Sequence, residues 1–221
     1  MKIHFNLNYF TKWGQNIAIM GSIPELGNND SSKALYMNFQ WKEDWMLDIE
    51  VDSKVAFEFT YRYVLKDSNG LDMPESGNDR TLKIDPSKED DVFCYDKWNP
   101  EGAIENIFLT SPFKNVLFKQ NRIPVPEPEV KKYTHIFRVK APLLKKGEAL
   151  CLVGNADALG GWLTEKPVLM HNQEKDWWTA KVNLSSIKNE YISYKYGVYD
   201  LEDKQFKYFE SGSDRVANVI G

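Results

Sequence analysis

Among the side chains able to do chemistry, the aromatic ones stand out: the 221 residues include 7 Trp, 11 Tyr and 12 Phe. A flat, exposed ring covers the apolar face of a ligand while polar neighbours satisfy the ligand's hydrogen-bonding groups. Trp162 is the strongest candidate for such a platform, because it follows Gly160-Gly161 on a turn where a Trp has little core to fill. Trp45 and Trp178 open alternating strands at matched positions and read as core, Trp98 as structural, and Trp177 as a partly exposed neighbour. Covalent chemistry finds little support. There is no G-x-S-x-G, P-loop or G-x-G-x-x-G motif, and the 32 acidic residues include no motif that singles out a catalytic pair. His4, His135 and His171 are scattered with no ligand spacing, so neither a metal nor another cofactor is expected.

Charge and composition narrow the partners. With 28 basic and 32 acidic residues the net charge is −4, which argues against nucleic acid, since phosphate binding needs a basic face. No run of 18 apolar residues occurs, so no transmembrane helix and no membrane partner are expected. The opening MKIHFNLNYFTKWGQ places polar residues where a secretory signal needs an unbroken apolar stretch. Cys94 and Cys151 make no disulfide framework. These features together lead us to expect a reducing, cytoplasmic location.

The elements that must position the aromatics are written twice. At an offset of 133 residues, Gly21-Ser-Ile-Pro-Glu-Leu26-Gly27 matches Gly154-Asn-Ala-Asp-Ala-Leu159-Gly160. Lys33, Met37, Trp45, Tyr61 and Tyr63 then fall on Lys166, Met170, Trp178, Tyr194 and Tyr196. After a two-residue insertion, Glu75-Ser76-Gly77-Asn-Asp79-Arg80 matches Glu210-Ser211-Gly212-Ser-Asp214-Arg215. Each copy reads as β. The stretches 17–21 and 150–154 are buried-strand runs, whereas 45–51, 178–184, 57–65 and 191–199 alternate with period two. We therefore expect an all-β chain of two immunoglobulin-like antiparallel β-sandwich modules in tandem, at 1–98 and 133–221. Residues 99–132 are expected to connect them, with a Pro124-Val-Pro126-Glu-Pro128 end that is extended and semi-rigid. The apolar centre of that connector should pack on the modules, or on the first one only.

The motifs G-S-I-P-E-L-G (21–27), G-N-A-D-A-L-G-G-W (154–162), Y-R-Y and Y-K-Y (61–63, 194–196) and the E-S-G-x-D-R hairpins resemble those of the family-20 starch-binding modules. The likeness covers both copies. Y-F-T-K-W-G-Q (9–15) and S-P-F-K-N-V-L-F (111–118) make the arrangement similar to the N-terminal tandem of amylomaltase-type 4-α-glucanotransferases. The resemblance implies binding of α-1,4-glucans such as starch, glycogen and maltodextrins. In the family's first site two Trp stack on the sugar and a Lys bonds to it. The matching positions hold Trp162, Lys195 and Phe209 in the second copy, but Asn29, Arg62 and Pro74 in the first, which should be inactive there. The family's second site implies Trp13, in Trp13-Gly14-Gln15-Asn16, with Trp41 or less favourably Phe39; the second copy has Lys146 in place of Trp13. Asp79/Arg80 and Asp214/Arg215 read as turn-fixing pairs.

Glycoside chemistry needs two carboxylates on a rigid scaffold, and a transferase barrel needs roughly 250 residues. Two sandwiches leave no room for one. The chain is therefore expected to be no enzyme itself but the substrate-binding part of one, with a C-terminal catalytic domain in the same polypeptide. A stand-alone glycan-binding scaffold and an immunoglobulin-like protein-interaction module are the alternatives. In the first copy Val92–Trp98 reads as a closing strand whose counterpart would fall at 227–233, so the second module is expected to lack its last strand.

Overall fold

In the computed structural model the chain forms two compact units, Met1–Ala103 and Ile104–Gly221. The structure describes residues 1–40, 43–88, 91–100, 125–128, 130, 132–141, 143–174, 177–188 and 191–219. Trp41 and most of the expected connector lie outside them.

Unit 1 consists of β1 (Lys2–Asn8), β2 (Gln15–Gly21), β3 (Leu35–Tyr36), β4 (Asn38–Phe39), β5 (Asp44–Glu50), β6 (Phe57–Asp67), β7 (Asp72–Pro74), β8 (Arg80–Ile84) and β9 (Asp91–Lys97). In one sheet β1 runs antiparallel to β5 and parallel to β9, with β4 beyond β5. In the other, β6 pairs with β2, β7 and β8, and β3 edges β2. Alternation turns one face of each sheet inward: Ile3, Phe5 and Leu7 are fully buried, and the Phe5 ring meets Tyr61 edge-on with centroids 5.0 Å apart.

Unit 2 repeats the plan with β10 (His135–Val139), β11 (Glu148–Gly154), β12 (Val168–Leu169), β13 (His171–Glu174), β14 (Trp177–Val182), β15 (Tyr191–Asp200), β16 (Gln205–Phe209) and β17 (Arg215–Asn218). Here β14 lies between β10 and β13, while β15 pairs with β11, β16 and β17. Phe137 meets Tyr194 edge-on at 4.8 Å, as Phe5 meets Tyr61. From the connector's described end, Glu127 reaches Lys181 of β14 at 3.1 Å and stands 3.6 Å from His171.

Trp45 and Trp178 are core residues, and Trp98 is buried against the ring of Tyr9 at 4.6 Å. Two sequence-based expectations need correction. Trp177 is buried rather than partly exposed: it sits on the opposite strand face from Trp178, with Arg138 and Lys140 over its ring. Asp79/Arg80 and Asp214/Arg215 do not pair with each other, because each Asp stands just before β8 or β17 and each side chain finds another partner. Arg80 turns inward to Glu75 (Nε to Oε1, 2.9 Å) and Asp96, whereas Asp79 turns outward to Arg62 at 2.6 Å. Likewise Arg215 pairs with Glu210 at 2.7 Å and Asp214 stands 3.8 Å from Lys195.

Candidate functional site

On unit 2 the site begins where β11 ends. Gly154 must be glycine, since a Cβ there would lie 2.6 Å from the Ser193 carbonyl and 2.7 Å from Leu159 Cδ1. The chain leaves the strand tied to β15: Asn155 donates its N–H to the Ser193 carbonyl, and Asn155 Oδ1 accepts the Ser193 N–H at 3.0 Å. It then winds through a 3-10 turn, Asp157–Trp162, whose last three residues are all left-handed: Gly160 at φ 81°, Gly161 at 58° and Trp162 at 65°. Unit 1 repeats this turn with Gly27 at 81°, Asn28 at 54° and Asn29 at 61°. Asn tolerates that region; for a bulky residue it is an outlier that costs free energy and tends to mark functional positions. Trp162 is thus held in a strained conformation, with 37% of its surface exposed.

Lys195 and Phe209 share the outward face of β15 and β16. Tyr194 and Tyr196 point inward and are buried, so Lys195 and Gly197 point out, and Phe209 stands directly opposite Gly197. Gly197 leaves space that Phe206 fills, for a Cβ there would lie 2.4 Å from the Phe206 ring. Phe206 in turn packs on Phe209, centroids 4.5 Å apart at 52°. Phe206 was not singled out from the sequence; a glycine inside β15, the mark of a close approach by a neighbour, was the available signal. Beneath, burial pushes the Cys151 thiol up to about 12, keeping it protonated. Lys195 donates Nζ–H to the Gly212 carbonyl at 2.7 Å, which fixes its head group on the turn between β16 and β17.

The corresponding positions of unit 1 offer no ring. Asn29 replaces Trp162, exposed Pro74 replaces Phe209, and Arg62 is folded onto the turn between β7 and β8 through Asp79 and the Gly77 carbonyl at 2.8 Å.

A second locus lies at the turn before β2. Gln15 N–H bonds to the Lys12 carbonyl at 3.0 Å, Gln15 Oε1 accepts the Lys12 N–H at 2.9 Å, and Gly14 takes φ 83°. This closed turn leaves Trp13 wholly exposed, at 104%. Unit 2 builds the same turn: Glu148 N–H bonds to Lys145, Glu148 Oε2 accepts the Lys145 N–H at 2.9 Å, and Gly147 takes φ 84°. Its outward residue is Lys146. Although burial pushes the Glu148 carboxyl up, the Lys145 N–H and the Lys207 ammonium at 3.0 Å hold it below the usual carboxylate range. On β4, Phe39 is exposed and meets Trp45 edge-on at 5.3 Å. Phe10, which sequence reasoning passed over, is also exposed, because Tyr9 before it is held inward on Trp98.

The family model of the starch binding domain matches residues 1–93 and 133–220, one match on each copy. The chain belongs to the starch-binding domain family. It is 30% identical over 97% of its length to "4-alpha-glucanotransferase DPE2" of Oryza sativa subsp. japonica, of which it covers 24%. It is 36% identical over 38% of its length to the cyclomaltodextrin glucanotransferase of Bacillus sp. (strain 1-1), of which it covers 12%. The chain therefore spans less than a quarter of the length of these relatives. Among solved structures it is similar to the family-20 carbohydrate-binding module of a maltotetraose-forming amylase from Pseudomonas saccharophila STB07. That likeness has a TM-score of 0.34 at 15% identity, over 38% of this chain and 90% of that one. The starch-binding domains make up two all-β sandwich modules, and they constitute a binding region rather than a catalytic domain.

Proposed function

We propose that these starch-binding domains hold α-1,4-glucan at two loci of different construction, as the N-terminal substrate-binding region of a cytoplasmic 4-α-glucanotransferase. The unit 2 locus stacks glucose on Trp162 and Phe209, with Lys195 contributing hydrogen bonds. The unit 1 locus uses Trp13, with Trp41 or Phe39 as its partner. The catalytic domain that would act on the held chain lies C-terminal in the same polypeptide, and starch, glycogen and maltodextrins are its substrate class.

The observation that carries this reading is Trp162. A large ring kept at φ 65° on an outward turn, more than a third of it exposed, carries a backbone cost that the repeat avoids by placing Asn at 61°. A glucose ring offers an apolar C–H face to such a platform and hydroxyls to the Lys195 head group. Tethering two loci raises avidity for a polymer far more than for a short oligosaccharide.

Affinity electrophoresis in amylopectin tests the pair. Trp13→Ala and Trp162→Ala alone each weaken retardation, and the double variant runs as in a plain gel. Full retardation of the folded double variant would refute both assignments.

A further inference from the structure

The outward face of β15 continues beyond Lys195, and the two copies finish it differently. β15 pairs with β17 without a register break, Tyr191 opposite Asn218 and Ser193 opposite Val216. Ile192, Tyr194 and Tyr196 are buried inward, so Tyr191, Ser193 and Lys195 share the outward face. In unit 1 the equivalent face of β6 and β8 carries Glu58 opposite Lys83 and Thr60 opposite Thr81. Glu58 and Lys83 form an ion pair of 3.0 Å with both side chains more than half exposed, an ordinary finish for a face that meets only water. Unit 2 has exchanged that ion pair for Tyr191 with Asn218, and Thr81 for Val216. Tyr191 is 49% and Val216 51% exposed. The exchange occurs in the copy that also carries Trp162 and Phe209. The copy with Asn29 and Pro74 keeps its charges.

We propose that the glucan-binding face of unit 2 extends along β15 to Tyr191, which forms a further stacking subsite for the same α-1,4-glucan chain. The extension rests on the reading of Trp162 as the anchor. Asn218 closes β17 under Tyr191, its carbonyl accepting a hydrogen bond from His135 Nε2 at 2.9 Å, so this end of the face is held. The four-residue step from Lys195 to Tyr191 spans roughly 13 Å of strand. That is longer than one glucose ring, so Tyr191 is reached by an oligosaccharide of several units and missed by a short one.

Calorimetry in a Trp13→Ala background, which isolates unit 2, tests the extension. Tyr191→Ala is expected to weaken maltoheptaose binding roughly fivefold, the worth of one half-exposed stacking contact, and to leave maltotriose binding unchanged. Tyr191→Phe, which keeps the ring, restores maltoheptaose affinity, and thermal melts establish that each variant is folded. Trp162→Ala lowers affinity for both sugars. Unchanged maltoheptaose affinity in Tyr191→Ala, beside a loss in Trp162→Ala, would overturn the extension while leaving the anchor standing. Equal losses for both sugars in Tyr191→Ala would overturn it too, as they would show a general disturbance. Unchanged binding in Trp162→Ala would remove the anchor and the extension together.

Discussion

Replacing Trp162 with the residue unit 1 uses there separates the cost of the strained turn from the value of the ring. Trp162 is 37% exposed, so about 60% of a Trp surface of roughly 200 Å² is covered. At ~25 cal/mol per Å², less the part already buried in a realistic unfolded chain, that covering contributes about 2 kcal/mol. Trp162→Ala loses this and keeps the left-handed penalty of about 1–2 kcal/mol, because alanine also avoids φ 65°. Trp162→Asn loses the same burial but relieves about 1 kcal/mol, as Asn29 does at φ 61°. The Asn variant should therefore melt above the Ala variant by roughly 4–8 °C for a module of this size, followed in the transition that belongs to unit 2. Titration calorimetry with β-cyclodextrin, run in a Trp13→Ala background, should show both variants equally impaired. An Ala variant that melts at or above the Asn variant would show that the turn is not strained. An Asn variant that binds as tightly as its parent would show that the ring is not the anchor.

Two further outcomes concern the equivalent ion pairs of the two units. Glu75→Gln removes one of the two carboxylates that face Arg80, leaving Asp96 at 3.4 Å, in a site where these side chains are almost wholly buried, and should cost about 1–3 kcal/mol in urea unfolding. The equivalent Glu210→Gln in unit 2 should cost less than about half of that, because Arg215 and Glu210 are 29% and 25% exposed; equal losses would refute the burial argument. The third outcome is a pH dependence. Glu148 has its folded pKa depressed, so its contribution is fully present above the ordinary value of 4.5 and is lost as pH falls through the lower folded value. Glu148→Gln should flatten that part of the acid limb of stability against pH, and an unaltered acid limb would show that the Lys145 and Lys207 contacts do not act on it.

The strands were legible because burial on one face writes itself into the sequence with period two. Residues 57–65 and 191–199 alternate, and β6 and β15 occupy Phe57–Asp67 and Tyr191–Asp200. The turn Lys12–Gln15 was legible for another reason: glycine at φ 83° is a conformational requirement that composition displays. What alternation could not give was the direction of consecutive ionic residues near a hairpin. Asp79 and Arg80 look like a pair in sequence, yet Asp79, just before β8, turns out to Arg62 while Arg80, the first residue of β8, turns into the core. Trp177 was misjudged because alternation identifies one face of β14 and gives no account of the other, where Arg138 of β10 and Lys140 just beyond it stand over the ring.

The repeat itself explains why the loci differ while the scaffold does not. The Gly27–Asn29 and Gly160–Trp162 turns match in φ within a few degrees, and the Lys12–Gln15 and Lys145–Glu148 turns close with the same two hydrogen bonds. Glycine and the capping Gln or Glu are constrained by the backbone they support, so both copies retain that chemistry. The outward residues Trp13 and Lys146 carry no such constraint, and Asn29 and Trp162 carry only that of the left-handed φ, which Asn meets at lower cost than Trp. On the proposed reading, binding chemistry is therefore written on the positions that the fold leaves open. A duplicated sandwich can lose a ring in one copy and gain one in the other at the cost of a turn residue, without disturbing the core of either unit.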